Sequence, residues 1–240
     1  MKLSIIIPAY NEESRLPKTL REIDAYLKRQ SYDYEILVVN DGSKDKTAEV
    51  TESLKPEIAN LRLIDNQENH GKGYVVRQGM LQAAGDYRLF MDADNSTTID
   101  QVGKMWPFFE QGYDVVIGSR DVAGASMEPA QPLFRRLLGE IFNLVVQVVV
   151  GLWGIWDTQC GFKAFTRKAA EAVFPPALIN RFAFDPEVLI LAKRKGYKIK
   201  EAPVVWKNDI RSTVKFTWMI KMLFEVLQIR WNLITRKYNR

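Results

Sequence analysis

Two side chains that carry much of enzyme chemistry are nearly missing from this 240-residue chain, which has one cysteine, Cys160, and one histidine, His70. A lone cysteine excludes an intramolecular disulfide and reads as a small packed side chain rather than a nucleophile. A lone histidine leaves histidine-rich zinc sites and Ser-His-Asp catalysis short of parts, so any proton transfer must use carboxylates, or the reaction needs none. Long apolar runs are missing too. The nearest approach to the roughly 18 residues that a spanning helix requires is Ile141 to Ile155, interrupted by Asn143 and Gln147; it would lie on a bilayer or in a core rather than cross. No charged-then-apolar leader precedes Leu3, which leads us to expect a cytoplasmic location. Neither GxGxxG after the first strand nor GxxxxGK[ST] occurs, so a dinucleotide Rossmann site and a P-loop are both disfavoured.

What remains is an ordinary globular composition, 47% hydrophobic and 26% charged. Short β-branched runs at Leu3–Ala9, Tyr34–Asn40, Leu61–Asn66, Tyr87–Met91 and Asp114–Gly118 read as buried strands. Helical patterns lie between them, the first with Leu16, Leu20, Ile23 and Leu27 behind Pro17. Such alternation predicts an α/β fold with a mostly parallel central sheet and helices on both faces. Three of the strands run into acidic residues. Glu12, Asp41, Asp92 and Asp94 should therefore converge where the strands end, the edge at which open α/β sheets bind ligands. Taken alone, Asp92 to Thr98 could be a polar turn, with Ser96 or Thr97 capping a helix from Ile99. Four gathered carboxylates would repel one another unless a cation compensates, and hard oxygen ligands suit Mg²⁺ or Mn²⁺ carrying nucleotide phosphates.

After Arg120 the alternation breaks at a Gly/Ala/Pro-containing linker, Ala123–Pro132. Leu133 to Leu152 reads as a helix apolar on most sides that opens with Arg135 and Arg136, either buried or interfacial. The chain ends on a basic amphipathic helix, with Lys221, Arg230, Arg236 and Lys237 among Met219, Leu223, Phe224, Leu227 and Trp231. Such a stretch reads as membrane-surface binding, so we expect a catalytic unit over 1–215, an appended helix over 216–240, peripheral attachment to the inner face of a membrane, and no nucleic-acid partner.

In order along the chain stand Ile-Ile-Ile-Pro-Ala-Tyr-Asn-Glu at 5–12, Val-Asn-Asp-Gly-Ser at 39–43, Asn-His-Gly-Lys-Gly at 69–73, Asp-Ala-Asp at 92–94 and Gly-Ser-Arg at 118–120. Together they resemble the family 2 glycosyltransferases of GT-A fold. The segments Asp157–Lys163 and Phe184–Val188 are most similar to the polyprenyl-phosphate branch, which includes the dolichyl-phosphate β-glucosyltransferases and the dolichyl-phosphate mannose synthases.

The resemblance implies a role for each residue. Pro8, Tyr10, Glu12 and Asp41 would line the pocket for base and ribose, with Lys72 also on the nucleotide. Asp92 and Asp94 would hold the divalent metal against the diphosphate of UDP-glucose or GDP-mannose. Arg120 and Arg135 would grip the acceptor phosphate. Asp157, Gln159 and Gly161 would shape the sugar floor, with Asp185 and Glu187 nearby. Arg211 and Lys215 would reach the diphosphate from a loop whose Arg-Ser-Thr-Val-Lys sequence departs from the family's Gly-Ser-Lys pattern. A phosphate monoester is already largely an anion at neutral pH, so inverting transfer of a hexose, glucose first, to a polyprenyl phosphate needs no general base. Transfer to a saccharide or protein hydroxyl would need one, and Asp157 or Asp185 would be the candidates.

Overall fold

The computed structural model describes residues 1–128, 133–207 and 216–239. Four parallel strands build one half of the sheet: β1 (Lys2–Ala9), β2 (Asp33–Asp41), β3 (Leu61–Asn66) and β4 (Tyr87–Met91). Their side chains alternate between two cores. Ile6, Leu37, Val39 and Phe90 face one, while Ile5, Ile7, Ile36, Val38, Leu89 and Met91 face the other. A strand that is apolar at every position is what a sheet covered on both faces demands. The connections α1 (Leu16–Leu27), α2 (Thr47–Leu54) and α3 (Lys72–Gln82) follow the expected order. In α1 the residues at helical spacing, Leu16, Leu20, Ile23 and Leu27, are all buried, and Pro17 sits in the first turn.

The second half departs from simple alternation. The region expected to be one helix from Ile99 splits into a 3₁₀ segment, Ile99–Lys104, and a short helix α4 (Trp106–Glu110). Pro107 lacks the N–H that a continuous helix would use there. Strand β5 (Val115–Ser119) follows, then β6 (Ser126–Glu128), inside what reads as linker, and helix α5 (Leu133–Val150). Beyond Asp157 the chain forms a further strand, β7 (Phe162–Thr166), inserted antiparallel between β4 and β5. After α6 (Arg167–Val173) and α7 (Phe184–Arg194) come two further strands, β8 (Ile199–Pro203) and β9 (Val205–Lys207). The main sheet is ordered β3-β2-β1-β4-β7-β5-β8, and β6 pairs with β9 in a second, two-stranded sheet.

Helix α8 (Phe216–Ile234) is not an appendage. Val226, Ile229 and Leu233 enter the same core as Phe90 and Phe184, and Tyr238 beyond the helix joins them. Helix α5 turns two polar side chains inward beside the buried Val146 and Val150. Asn143 accepts a hydrogen bond from the Thr158 hydroxyl at 2.9 Å and Gln147 donates to the Ile155 carbonyl at 3.2 Å. The apolar Ile141, Leu144 and Val148 face outward.

Candidate active site

The first strand ends at Ala9 and the chain turns through Asn11, whose φ of 57° an asparagine side chain tolerates. Glu12 follows, and its carboxylate is held by Arg15 through bonds of 2.6 and 2.7 Å. Strand β2 delivers Asp41, followed by Gly42 at φ +65°, where a Cβ would collide with the Glu68 backbone. Strand β4 delivers Asp92 and Asp94. These strand ends meet in one cavity of about 350 Å³, lined by Pro8, Tyr10, Glu12, Asp41, Lys72, Asp92 and Asp94 among others. The expected convergence of Glu12, Asp41, Asp92 and Asp94 is thus present.

Their environments differ. Asp41 is buried, and its oxygens accept the backbone N–H groups of His70 at 2.7 Å and Gly71 at 3.0 Å and the Asn69 amide at 2.9 Å. Burial pushes its carboxyl up, and those donors oppose the shift. Asp41 therefore folds the Asn-His-Gly-Lys-Gly loop onto the pocket. That loop's first residue, Asn69, lines the cavity too. Asp94 is pushed up by burial and then by Asp92, against the Ser96 N–H that it accepts at 2.9 Å. Glu12 is likewise pushed up by burial and by both aspartates, against Arg15.

The cation paired with Asp92 is Lys72, whose Nζ lies 2.5 Å from Asp92 Oδ1. Burial disfavours its charge, but Asp92, Asp185 and Asp94 outweigh that and hold its pKa above the usual lysine value. A Cβ at Gly161 would strike Asp92 Oδ2, so Gly161 makes the room that this carboxylate occupies. Among the described residues no three His, Cys, Asp or Glu side chains are grouped to cage a metal by themselves. Two mutually repelling carboxylates at a cavity wall instead fit a cation that completes its shell with phosphate oxygens, as Mg²⁺ commonly does.

Of the other expected residues, Arg120, Asp157, Gln159, Gly161, Asp185 and Glu187 are described and are not part of this cavity's lining. Asp157 is fully buried and grips Arg120 through Nε at 2.7 Å, Nη2 at 2.8 Å and the backbone N–H at 2.9 Å, and it also accepts the N–H groups of Gln159 and Cys160. Burial pushes its carboxyl up, but Arg120 prevails and holds it below the usual carboxylate range. The Arg120 guanidinium also lies 5.4 Å from the Trp206 ring. Trp206 in turn bridges to Thr97, which ties Arg120 to the Asp92–Thr98 turn. Gln159 is half-buried beside Thr158.

Asp185 is buried and paired with Lys163 at 2.5 Å. Glu187 corrects the expectation of a sugar contact. It is fully buried, and its oxygens accept the N–H groups of Leu178 and Ile179 and the Tyr238 hydroxyl. The side chain of Arg135 and all of Arg211 and Lys215 lie outside the described residues. Cys160 is buried, its thiol pushed up to about 12 by burial, which bears out a packing role. The structure adds Arg181 and Phe182 to the pocket wall. Sequence reasoning passed over them because neither sits in a motif or at a strand end.

The family model described as Glycosyl transferase family 2 matches residues 4–174. A dolichyl-phosphate beta-glucosyltransferase of Trichomonas vaginalis is 37% identical, the match covering 98% of this chain and 77% of that protein. The dolichyl-phosphate beta-glucosyltransferases of Dictyostelium discoideum and Homo sapiens are 36% and 35% identical, over 95% and 98% of this chain and 74% and 76% of their own lengths. Among solved structures, mannosyl-3-phosphoglycerate synthase from Rubrobacter xylanophilus superposes with a TM-score of 0.71 at 17% identity, covering 100% of this chain and 76% of its own. Glucosyl-3-phosphoglycerate synthase from Mycobacterium tuberculosis, in complex with Mn²⁺, UDP and phosphoglyceric acid, gives 0.70 at 16% identity, over 98% and 78%. Fold, strand-end carboxylates and sequence likeness agree: the chain is a glycosyltransferase of GT-A fold and belongs to glycosyl transferase family 2.

Proposed function

We propose that this protein transfers glucose from UDP-glucose to a dolichyl-type polyprenyl phosphate with inversion at the anomeric carbon. The observation that carries this reading is a division of labour among the carboxylates. Asp92 and Asp94 face the cavity, whereas Asp157 and Asp185, the bases that a hydroxyl acceptor would need, are buried in ion pairs with Arg120 and Lys163. A phosphate acceptor requires no base.

Pro8, Tyr10 and Asn69, with the loop that Asp41 folds, would receive base and ribose, and Lys72 would turn from Asp92 to the diphosphate. Asp92 and Asp94 would hold Mg²⁺ or Mn²⁺, which when bound supplies Lewis-acid neutralisation of the departing diphosphate. A phosphate oxygen of the acceptor forms the new bond to the sugar C1 as the bond from C1 to the diphosphate oxygen breaks. The electron pair leaves with UDP, and no proton need move. Asp157 would orient Arg120 toward the acceptor phosphate, joined there by Arg135.

The lipid reading also draws on the outer surface. No helix among the described residues is long and apolar enough to cross a membrane. Ile141, Leu144 and Val148 of α5, the adjacent Trp153 and Trp156, and Leu223, Phe224, Leu227 and Trp231 of α8 are nevertheless all exposed. Exposed apolar faces of this size mark interaction surfaces, and cations beside them suit anionic headgroups. Peripheral seating on a membrane follows from this reading.

The test is an acceptor assay with UDP-glucose and Mn²⁺, comparing a polyprenyl phosphate, the corresponding polyprenol and free glucose. Product is expected with the phosphate alone; equal transfer to the hydroxyl acceptors would sink the reading. GDP-mannose in place of UDP-glucose decides the donor, because only the donor that fits the pocket raises the melting temperature with metal.

A further inference from the structure

The segment 180–183 belongs to the cavity without carrying any acidic motif. Its backbone is stitched to the start of α3, with the Gly73 N–H donating to Arg181 O at 3.2 Å and the Tyr74 N–H to Asn180 O at 3.1 Å. A Cβ on Gly71 would lie 3.0 Å from Arg181 Cγ, so the arginine stem runs along Gly71, next to the N–H groups that hold Asp41. Its charge acts on Asp41 from that side.

The other side of the segment is held from α8. Ala183 caps α7, and its methyl side chain offers no oxygen for the N–H groups that a helix start leaves unmatched. Ala183 is fully buried, where an unmatched N–H is costly. Glu225 of α8 supplies the acceptor, Oε2 to Ala183 N at 2.9 Å. Burial pushes the Glu225 carboxyl up, and Ala183, Arg181 and the Phe182 backbone counter that shift.

We propose that Glu225 is a positioning residue for the nucleotide end of the pocket: from α8 it fixes the 180–183 wall so that Arg181 and Phe182 stand against a bound nucleoside diphosphate. Phe182 offers a ring face to a base, and Arg181 offers a planar set of donors to base, ribose or phosphate oxygens. The proposal rests on the donor-pocket reading above, and it makes α8 part of the donor site as well as of the core.

Calorimetric titration of UDP with Mn²⁺ into the unsubstituted chain, E225A, E225Q and R181A, with melting temperatures alongside, tests it. E225A and R181A are expected to weaken UDP binding about tenfold. E225Q, which keeps an oxygen for the Ala183 N–H, is expected to stay within about threefold of the unsubstituted chain. An E225A protein that melts earlier but binds UDP normally overturns the positioning role. So does an E225Q protein as weak as E225A, since the hydrogen bond would then not be what matters. Should E225A fail to fold, R181A decides, because its side chain is exposed: unchanged UDP affinity there removes the wall. Failure of the unsubstituted chain to bind UDP at all overturns the donor-pocket reading, and the positioning role of Glu225 with it.

Discussion

A carboxylate means different things at Asp94 and at Asp157, although both follow apolar stretches. Asp94 stands at the cavity beside a like charge, and in the proposed reading its oxygens would hold a cation against the diphosphate. Asp94→Asn is expected to lower glucosyl transfer about a thousandfold and to abolish the Mn²⁺-dependent part of UDP binding, with little change in melting temperature. Initial rates and calorimetry check this. Asp157 instead orients a guanidinium from full burial. Asp157→Asn leaves the half-buried Arg120 without its counter-charge, and about 1–3 kcal/mol of stability should be lost at neutral pH.

The sign of the pH dependence at Asp157 follows from its depressed pKa. In the folded chain the carboxyl is held below its unfolded value of about 3.9. Its contribution is therefore fully present above that value and is lost as pH falls through the folded value. Denaturant titrations should show a constant gap between the unsubstituted chain and Asp157→Asn from about pH 8 to 5, narrowing below about pH 4.

The elements that escaped sequence reasoning are those whose pairing is decided at a distance. Phe162 to Phe165 is apolar except for Lys163, and nothing local tells the chain to run antiparallel between β4 and β5. Lys163 interrupts the run only on paper. In the fold it is fully buried, paired with Asp185 at the start of α7, and its Nζ lies 5.4 Å from the Phe90 ring. Removing one partner strands the other in a dry core. Lys163→Met should cost about 3–5 kcal/mol, and adding Asp185→Leu should recover most of it, since a matched apolar pair replaces a matched ionic one. Urea unfolding of both variants measures the difference. The same dependence on distant contacts explains Glu187, whose Phe-Asp-Pro-Glu setting reads as a site motif. Its partners, Leu178, Ile179 and Tyr238, become visible only once the helix is placed.

The outer apolar faces belong to the whole molecule, because α5 and α8 contact each other and expose their large side chains outward. Phe224 and Trp231 are 67% and 60% exposed. The double substitution Phe224→Ser/Trp231→Ser should cut retention on vesicles containing phosphatidylserine by at least about tenfold, given about 1.5–3 kcal/mol for each large apolar side chain buried. UDP binding should be unchanged, and co-sedimentation together with calorimetry separates the two properties. Deleting the chain from Phe216 onward would be a poor version of this test. It would also remove Val226, Ile229 and Leu233 from the core and Glu225 from Ala183.

By itself the sequence determined the strand-end half of the site. An apolar strand must end where its polar residues begin, and in a parallel sheet those ends gather at one edge, so Glu12, Asp41, Asp92 and Asp94 were legible from pattern alone. Only the tertiary structure decided which carboxylates keep their oxygens for a ligand and which are tied to a partner. That depends on residues far apart in the chain, such as Arg120 with Asp157, Lys163 with Asp185 and Glu225 with Ala183. Burial and hydrogen bonding are properties of assembled surfaces, and no local pattern encodes them.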